Sequence, residues 1–266
     1  MSTKKNTVIH ENLHVNISGQ GVPLVMIHGI ISDSTFFDKS AVCLAEKYQV
    51  ITYDRRGYGN SDQVSYSDYT VRAQAEDLIC ILRTFCREPA WILGNSAGSL
   101  IALEAALNYP ELIRGMILLE PSLGYDPDER EKLLGWNREL NEYVEQRRIK
   151  RALMAFSRVI GGKAGSAASS LQEMRQTYQN LETFMYGELN EVQHYLPPIE
   201  SLMALKIPVV IGVTEDGRDS IFATSSESAA RLIGWPVVRY PGYHNVAKEI
   251  PEEFARVTDE AIREMG

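Results

Sequence analysis

The 266-residue chain has little of what marks a protein for membranes, nucleic acid or an oxidising compartment. Its first residues, MSTKKNTVIHENLHV, carry two lysines but no apolar run long enough for a signal peptide. No segment approaches the roughly 18 uninterrupted apolar residues of a membrane span. Cysteine is scarce and odd in number: Cys43, Cys80 and Cys86 show no metal-ligand spacing. Free, mostly buried thiols in a reducing compartment explain them, so a cytoplasmic location is expected. Basic clusters are absent too. The formal charge is -8, and the densest basic run, Gln146 to Arg151, lies in an acid-rich helical stretch and reads as a solvated face. Nucleic acid is therefore not an expected partner, because phosphate binding needs clustered Lys and Arg. Internal repeats and low-complexity tracts are also lacking.

What is present is ordinary globular composition, 44% hydrophobic and 23% charged, on a chain long enough to bury a sizeable core. Short apolar strands alternate with helices, the pattern of a mostly parallel sheet. Leu13–Ile17, Leu24–Ile27, Gln49–Thr52, Trp91–Leu93 and Met116–Leu119 read as strands, with helices at Val71–Phe85 and Ser96–Asn108. From Ser122 to Pro197 the pattern turns polar and helical, with one long helical stretch over Glu129–Arg151 and another over Leu171–Tyr195. The small-residue break Gly161–Ser166 between them lacks the G-x-x-x-x-G-K-[ST] of a phosphate loop and reads as a turn. Strands Val209–Val213 and Val237–Tyr240, and helices Thr224–Ile233 and Pro251–Met265, complete the chain. The expected fold is a doubly wound, mostly parallel α/β sheet. Residues 1–121 and 198–266 form the core and 122–197 an inserted helical cap.

Chemistry concentrates in a few loops. Gly94-Asn95-Ser96-Ala97-Gly98 fits G-x-S-x-G between a strand and a helix, which makes Ser96 the candidate nucleophile. A turn this sharp needs small residues on both sides of the serine, and the helix N-terminus behind it favours negative charge. His28-Gly29-Ile30-Ile31 follows the strand Leu24–Ile27. The backbone N–H groups of Ile30 and Ala97 would form an oxyanion hole, with His28 bracing the loop by hydrogen bonds. Asp54 to Asp62, a Gly-rich polar turn, reads as a hydrogen-bonded loop supporting the sheet edge. A serine needs a base within reach. Of five histidines, only His244, in Pro241-Gly242-Tyr243-His244-Asn245, comes late from a loop at the sheet's carboxyl edge.

These residues together resemble the α/β-hydrolase family over nearly the whole chain. The likeness runs through His28-Gly29, Asp54-Arg55-Arg56-Gly57-Tyr58-Gly59-Asn60-Ser61, the Ser96 motif, Ile207-Pro208 and Pro241-Gly242-Tyr243-His244. Ser96 stands where dehalogenases and epoxide hydrolases of the family carry Asp, which argues against both activities. Asn95 departs from the His of many relatives. The resemblance implies a serine hydrolase acting on an ester or lactone through a Ser96 acyl-enzyme, with His244 as general base. No metal or organic cofactor is implied, and the partner is a small, partly apolar molecule; a homodimer stays open. Carbon–carbon bond hydrolysis, perhydrolysis and lyase chemistry occur on the same fold, and a receptor that hydrolyses little is the non-enzymatic alternative. The acid that orients His244 has two candidates. Asp216 lies in the usual loop after Val209–Val213, although alignment on Ile207-Pro208 puts Gly217 at the acid's place. Glu120 ends Met116–Leu119 and is similar to the acid of a branch that includes zearalenone-type lactonases; it is taken as the acid, with Asp216 as alternative. Trp136, Phe156, Phe184, Met185 and Tyr186 are candidate pocket residues, and each could equally pack the cap against the core.

Overall fold

A computed structural model describes residues 5–160 and 171–266. Eight strands form one sheet: β1 (Asn6–His10), β2 (Leu13–Ser18), β3 (Val22–Ile27), β4 (Tyr48–Tyr53), β5 (Ala90–Asn95), β6 (Ile113–Leu119), β7 (Val209–Thr214) and β8 (Val237–Tyr240). Their spatial order is β1-β2-β4-β3-β5-β6-β7-β8. β1, β2 and β4 pair antiparallel at one edge, and all pairings from β4 onward are parallel. The doubly wound α/β expectation holds.

Alternation along the central strands explains the two layers, since successive side chains point to opposite faces. Val25, Ile27, Ile92, Met116, Leu118, Ile211 and Val213 face one way. They pack with α2 (Val71–Phe85), α3 (Ala97–Asn108) and the helix Ile221–Ile233. Leu24, Met26, Trp91, Leu93, Ile117, Leu119 and Val210 face the other way. There they meet α1 (Asp38–Leu44) and the C-terminal helix (Pro251–Met265) through residues such as Phe37 and Phe254. Strands covered on both sides read as continuous apolar runs, which is why β3, β5, β6 and β7 were visible in sequence. β1 was missed: its residues are almost all exposed and polar-rich, so no alternation marks them.

Between β6 and β7 the described residues are helical: α4 (Pro127–Glu145), α5 (Ile149–Ile160), α6 (Leu171–Thr183), a π-turn over Phe184–Glu188, α7 (Leu189–His194) and α8 (Ile199–Met203). The single helix expected over Glu129–Arg151 is broken. Arg147 adopts φ 53°, a left-handed conformation that ends α4 before α5 restarts at Ile149. The expected turn at Gly161–Ser166 lies outside the described residues. α9 (Ile221–Ile233), α10 (Val246–Glu249) and α11 (Pro251–Met265) complete the chain. Among the described residues no helix is long and apolar enough to cross a membrane. Cys43, Cys80 and Cys86 are free, as expected, but partly exposed rather than buried.

Candidate active site

The carboxyl ends of β3, β5, β6, β7 and β8 lie side by side, where ligands of open parallel sheets bind. Ser96 occupies the turn from β5 into α3 at φ 52° and ψ −121°, a conformation few non-glycine residues adopt. Close approach on both sides enforces it. A Cβ on Gly94 would sit 2.5 Å from Ser99 Cα, and one on Gly98 only 2.3 Å from the Ile27 carbonyl oxygen. The Ser96 N–H donates to the Leu119 carbonyl at 2.8 Å, tying the turn to the end of β6.

One residue beyond that carbonyl is Glu120, fully buried and at φ 47°. Its N–H donates to the Gly212 carbonyl at 2.9 Å, so β7 holds its backbone. One carboxylate oxygen accepts from the Thr214 N–H at 3.0 Å and from the Thr214 hydroxyl at 2.5 Å. The other is hydrogen-bonded to His244 Nδ1, on the loop after β8. Burial pushes the carboxyl's pKa up, but the hydrogen bond and charge of His244 and the two Thr214 donors outweigh it and hold it below the usual value. Asp216, by contrast, is exposed; its N–H donates to the Gly242 carbonyl at 3.0 Å, and its side chain does not join the Glu120–His244 pair. The structure thus places Glu120, and not Asp216, on His244. Gly217 leaves the Thr214 hydroxyl free to serve Glu120, since a Cβ there would lie 2.6 Å from that oxygen.

His28 braces its loop, as the sequence suggested. The Arg55 N–H donates to His28 Nε2 at 3.0 Å, which fixes Nε2 as the acceptor and Nδ1 as the protonated nitrogen. Nδ1 in turn donates to the Gly29 carbonyl at 2.8 Å. Burial, with the nearby Arg55 charge, holds the His28 pKa well below its ordinary value, so the ring is neutral. Ile30 follows directly. Asp54 accepts from the Ser34 and Asn60 N–H groups, each at 2.8 Å, as a loop-supporting acid should.

An aromatic wall rises from His244 into the helices between β6 and β7. Phe222 lies 4.9 Å from the His244 ring, Trp136 5.5 Å from Phe222, Phe156 5.8 Å from Trp136, and Phe184 6.4 Å from Phe156. Ile30 and Ile31 pack against it. Among the described residues Trp136 Nε1 is buried with no hydrogen-bond partner. Tyr186 does not belong to this wall: it is 41% exposed and its ring faces Tyr66 at 5.9 Å. The π-turn buries Phe184, Met185 and Glu188 and so turns the intervening Tyr186 outward. Phe222 escaped the sequence reading, which began that helix at Thr224. Ser220, whose side chain caps Ala223 N–H at 3.2 Å, was the signal for an earlier start.

Metal-type ligands gather elsewhere. His10, Glu11 and Cys80 bring ligand atoms within 4.8 Å of one another at the β1–β2 turn, through contacts the linear spacing could not reveal. The thiol's hydrogen bond to Glu11, 3.2 Å, and its 3.3 Å contact with His10 account for that cluster.

Comparison with known proteins agrees with this fold. The chain is 34% identical over 113 residues to an uncharacterized hydrolase of Bacillus subtilis, covering 42% of each. It is 32% identical over 108 residues to the 2-(acetamidomethylene)succinate hydrolase of Mesorhizobium japonicum, covering 41% of this chain and 38% of that one. These matches span about two fifths of the relatives' length. In fold the chain is similar to a thermophilic esterase from Thermogutta terrifontis, with TM-score 0.75, 20% identity, and 98% of this chain and 99% of that one covered. A family model described as the alpha/beta hydrolase fold matches residues 22–196, most of the chain. With the Ser96 turn and the His244 loop at the carboxyl edge of such a sheet, the chain belongs to the α/β-hydrolase fold family.

Proposed function

We propose that this protein is a serine hydrolase that cleaves a carboxylic ester or lactone through an acyl-enzyme on Ser96. The observation that carries the reading is the buried Glu120–His244 hydrogen bond at the sheet edge where the strained Ser96 turn stands. Nδ1 of His244 is committed to Glu120, which leaves Nε2 as the base. Ser96 Oγ attacks the carbonyl carbon and its proton passes to His244 Nε2. The same nitrogen then returns the proton to the leaving alkoxide. Water, deprotonated by His244, releases the acid in the second half. The Ile30 and Ala97 N–H groups stabilise the oxyanion in both halves. No step draws on a metal or organic cofactor.

The helices between β6 and β7 act as a cap, and their aromatic wall favours a small, partly apolar substrate. A polar acceptor on that substrate would satisfy Trp136 Nε1. The esterase likeness in fold and the hydrolase names of the relatives support hydrolysis over the fold's other chemistries.

The test is turnover of a panel of aryl esters and lactones by the wild-type protein and by Ser96→Ala. The reading expects hydrolysis of at least one class and its loss by more than about a thousandfold in the variant. Thermal stability should stay nearly unchanged. A wild type inert to the whole panel, or a Ser96→Ala variant that keeps most activity, would refute it.

A further inference from the structure

We infer that Glu188, carried by the cap, is a positioning residue for the oxyanion hole: through Arg55 it fixes the Gly29–Ile30 peptide whose N–H meets the developing oxyanion. This rests on the serine-hydrolase reading above. The Gly29 carbonyl accepts two hydrogen bonds, from His28 Nδ1 at 2.8 Å and from Arg55 Nη2 at 2.9 Å. Two donors on one carbonyl fill both lone-pair directions. The peptide is trans, so its N–H points opposite to its C=O. Holding the carbonyl toward Arg55 therefore aims the Ile30 N–H to the other side. The nucleophile turn lies against this peptide: a Cβ on Gly29 would fall 3.1 Å from Ser96 Cβ and 3.2 Å from Asn95 Nδ2. A side chain at Gly29 would press on the nucleophile turn, so glycine suits this close approach.

Arg55 is itself held from the cap. Arg55 and Glu188 are each 1% exposed, and the guanidinium engages both carboxylate oxygens, one of them at 3.2 Å. The Tyr58 hydroxyl donates to the same carboxylate, and Gln74 Nε2 adds a bond at 2.9 Å. On the core side Arg55 Nη1 donates to Gln74 Oε1 at 2.6 Å, and the guanidinium lies 4.4 Å from the centre of the Tyr58 ring. Arg55, Tyr58 and Gln74 belong to the core; Glu188 alone comes from the π-turn between α6 and α7. Removing its charge leaves a buried cation with only neutral acceptors, and such a group moves toward water or draws water in. Either change takes Arg55 off the Gly29 carbonyl and leaves His28 Nδ1 alone to hold it, so the peptide gains freedom to turn. The oxyanion hole is then complete only when the π-turn is seated, which couples cap position to transition-state stabilisation.

The experiment compares Glu188→Gln with wild type on a small aryl acetate and on a bulky aryl ester, and measures binding of an aryl trifluoromethyl ketone, whose hemiketal oxyanion occupies the hole. Positioning predicts that kcat on both esters falls about ten- to a hundredfold. KM should stay within about twofold, and affinity for the ketone should fall by the same factor as kcat. A folded Glu188→Gln with wild-type kcat overturns the inference. So does a loss confined to KM or to the bulky ester, which would mean that Glu188 merely holds the cap down. If Glu188→Gln does not fold, Tyr58→Phe removes one donor from the same carboxylate and should show a smaller loss of the same kind; unchanged kcat and ketone affinity there overturn it equally. A wild type that neither turns over the acetate nor binds the ketone refutes the serine-hydrolase reading instead.

Discussion

A carboxylate as deeply buried as Glu120 persists as an anion only if donors replace the water it has lost. Thr214 supplies two and His244 a third, and their combined pull overcomes burial to keep its pKa below the ordinary carboxylate value. A depressed pKa stabilises the native state at every pH above the ordinary carboxylate value. That contribution disappears as pH falls through the lower, folded-state value. Melting temperature measured from about pH 6 down to pH 3 should therefore fall on acidification, and Glu120→Gln should fall less steeply. An equal slope in both proteins would show that Glu120 is not held as an anion. The same pairing predicts that Glu120→Gln lowers kcat by about ten-thousand-fold while Asp216→Asn stays within about twofold. Steady-state kinetics of the two variants separate them, and the reverse ranking would move the acid's role to Asp216. Sequence could narrow the acid to these two because both follow strands at the right edge, and it favoured Glu120 by resemblance. What it could not show is the contact that seats the carboxylate, Thr214 lying beside Glu120 across the β6–β7 pairing, 94 positions away.

Elements decide where the remaining side chains go. The first turn of α9 presents Phe222 to both His244 and Trp136, and so joins the sheet edge to the aromatic wall. Truncating this buried ring, Phe222→Ala, should cost about 3–5 kcal/mol of stability. It should also lower kcat more than KM, because His244 loses the surface that holds its ring plane. Chemical denaturation and steady-state kinetics check the two parts, and a stable variant with unchanged kcat would contradict both. The β5–α3 turn was legible because only small residues allow that path; Gly94 and Gly98 wrote it into the sequence. The π-turn was not. One extra residue in a helix leaves no periodicity mark, and the buried Glu188 looks like one more surface acid until Arg55, 133 positions away, is seen beside it.

For the molecule as a whole, the parallel strands were readable because both faces are covered, whereas the edge strand β1 was hidden by its exposure. The helices between β6 and β7 pack around a small apolar cluster, centred on Leu140, Leu181, Phe184 and Leu189, which meets the core through Tyr58. Their amides should therefore exchange with solvent faster than those of β5 and β6, as measured by hydrogen–deuterium exchange; equal protection would contradict a separately opening cap. The central claim is that Ser96 is a nucleophile activated by a His244–Glu120 pair. A fluorophosphonate probe followed by peptide mass mapping tests it most directly. The account predicts a single adduct on Ser96, formed far more slowly in Glu120→Gln and at the wild-type rate in Asp216→Asn. An adduct on another residue, or labelling of Ser96 that is indifferent to Glu120, would contradict it.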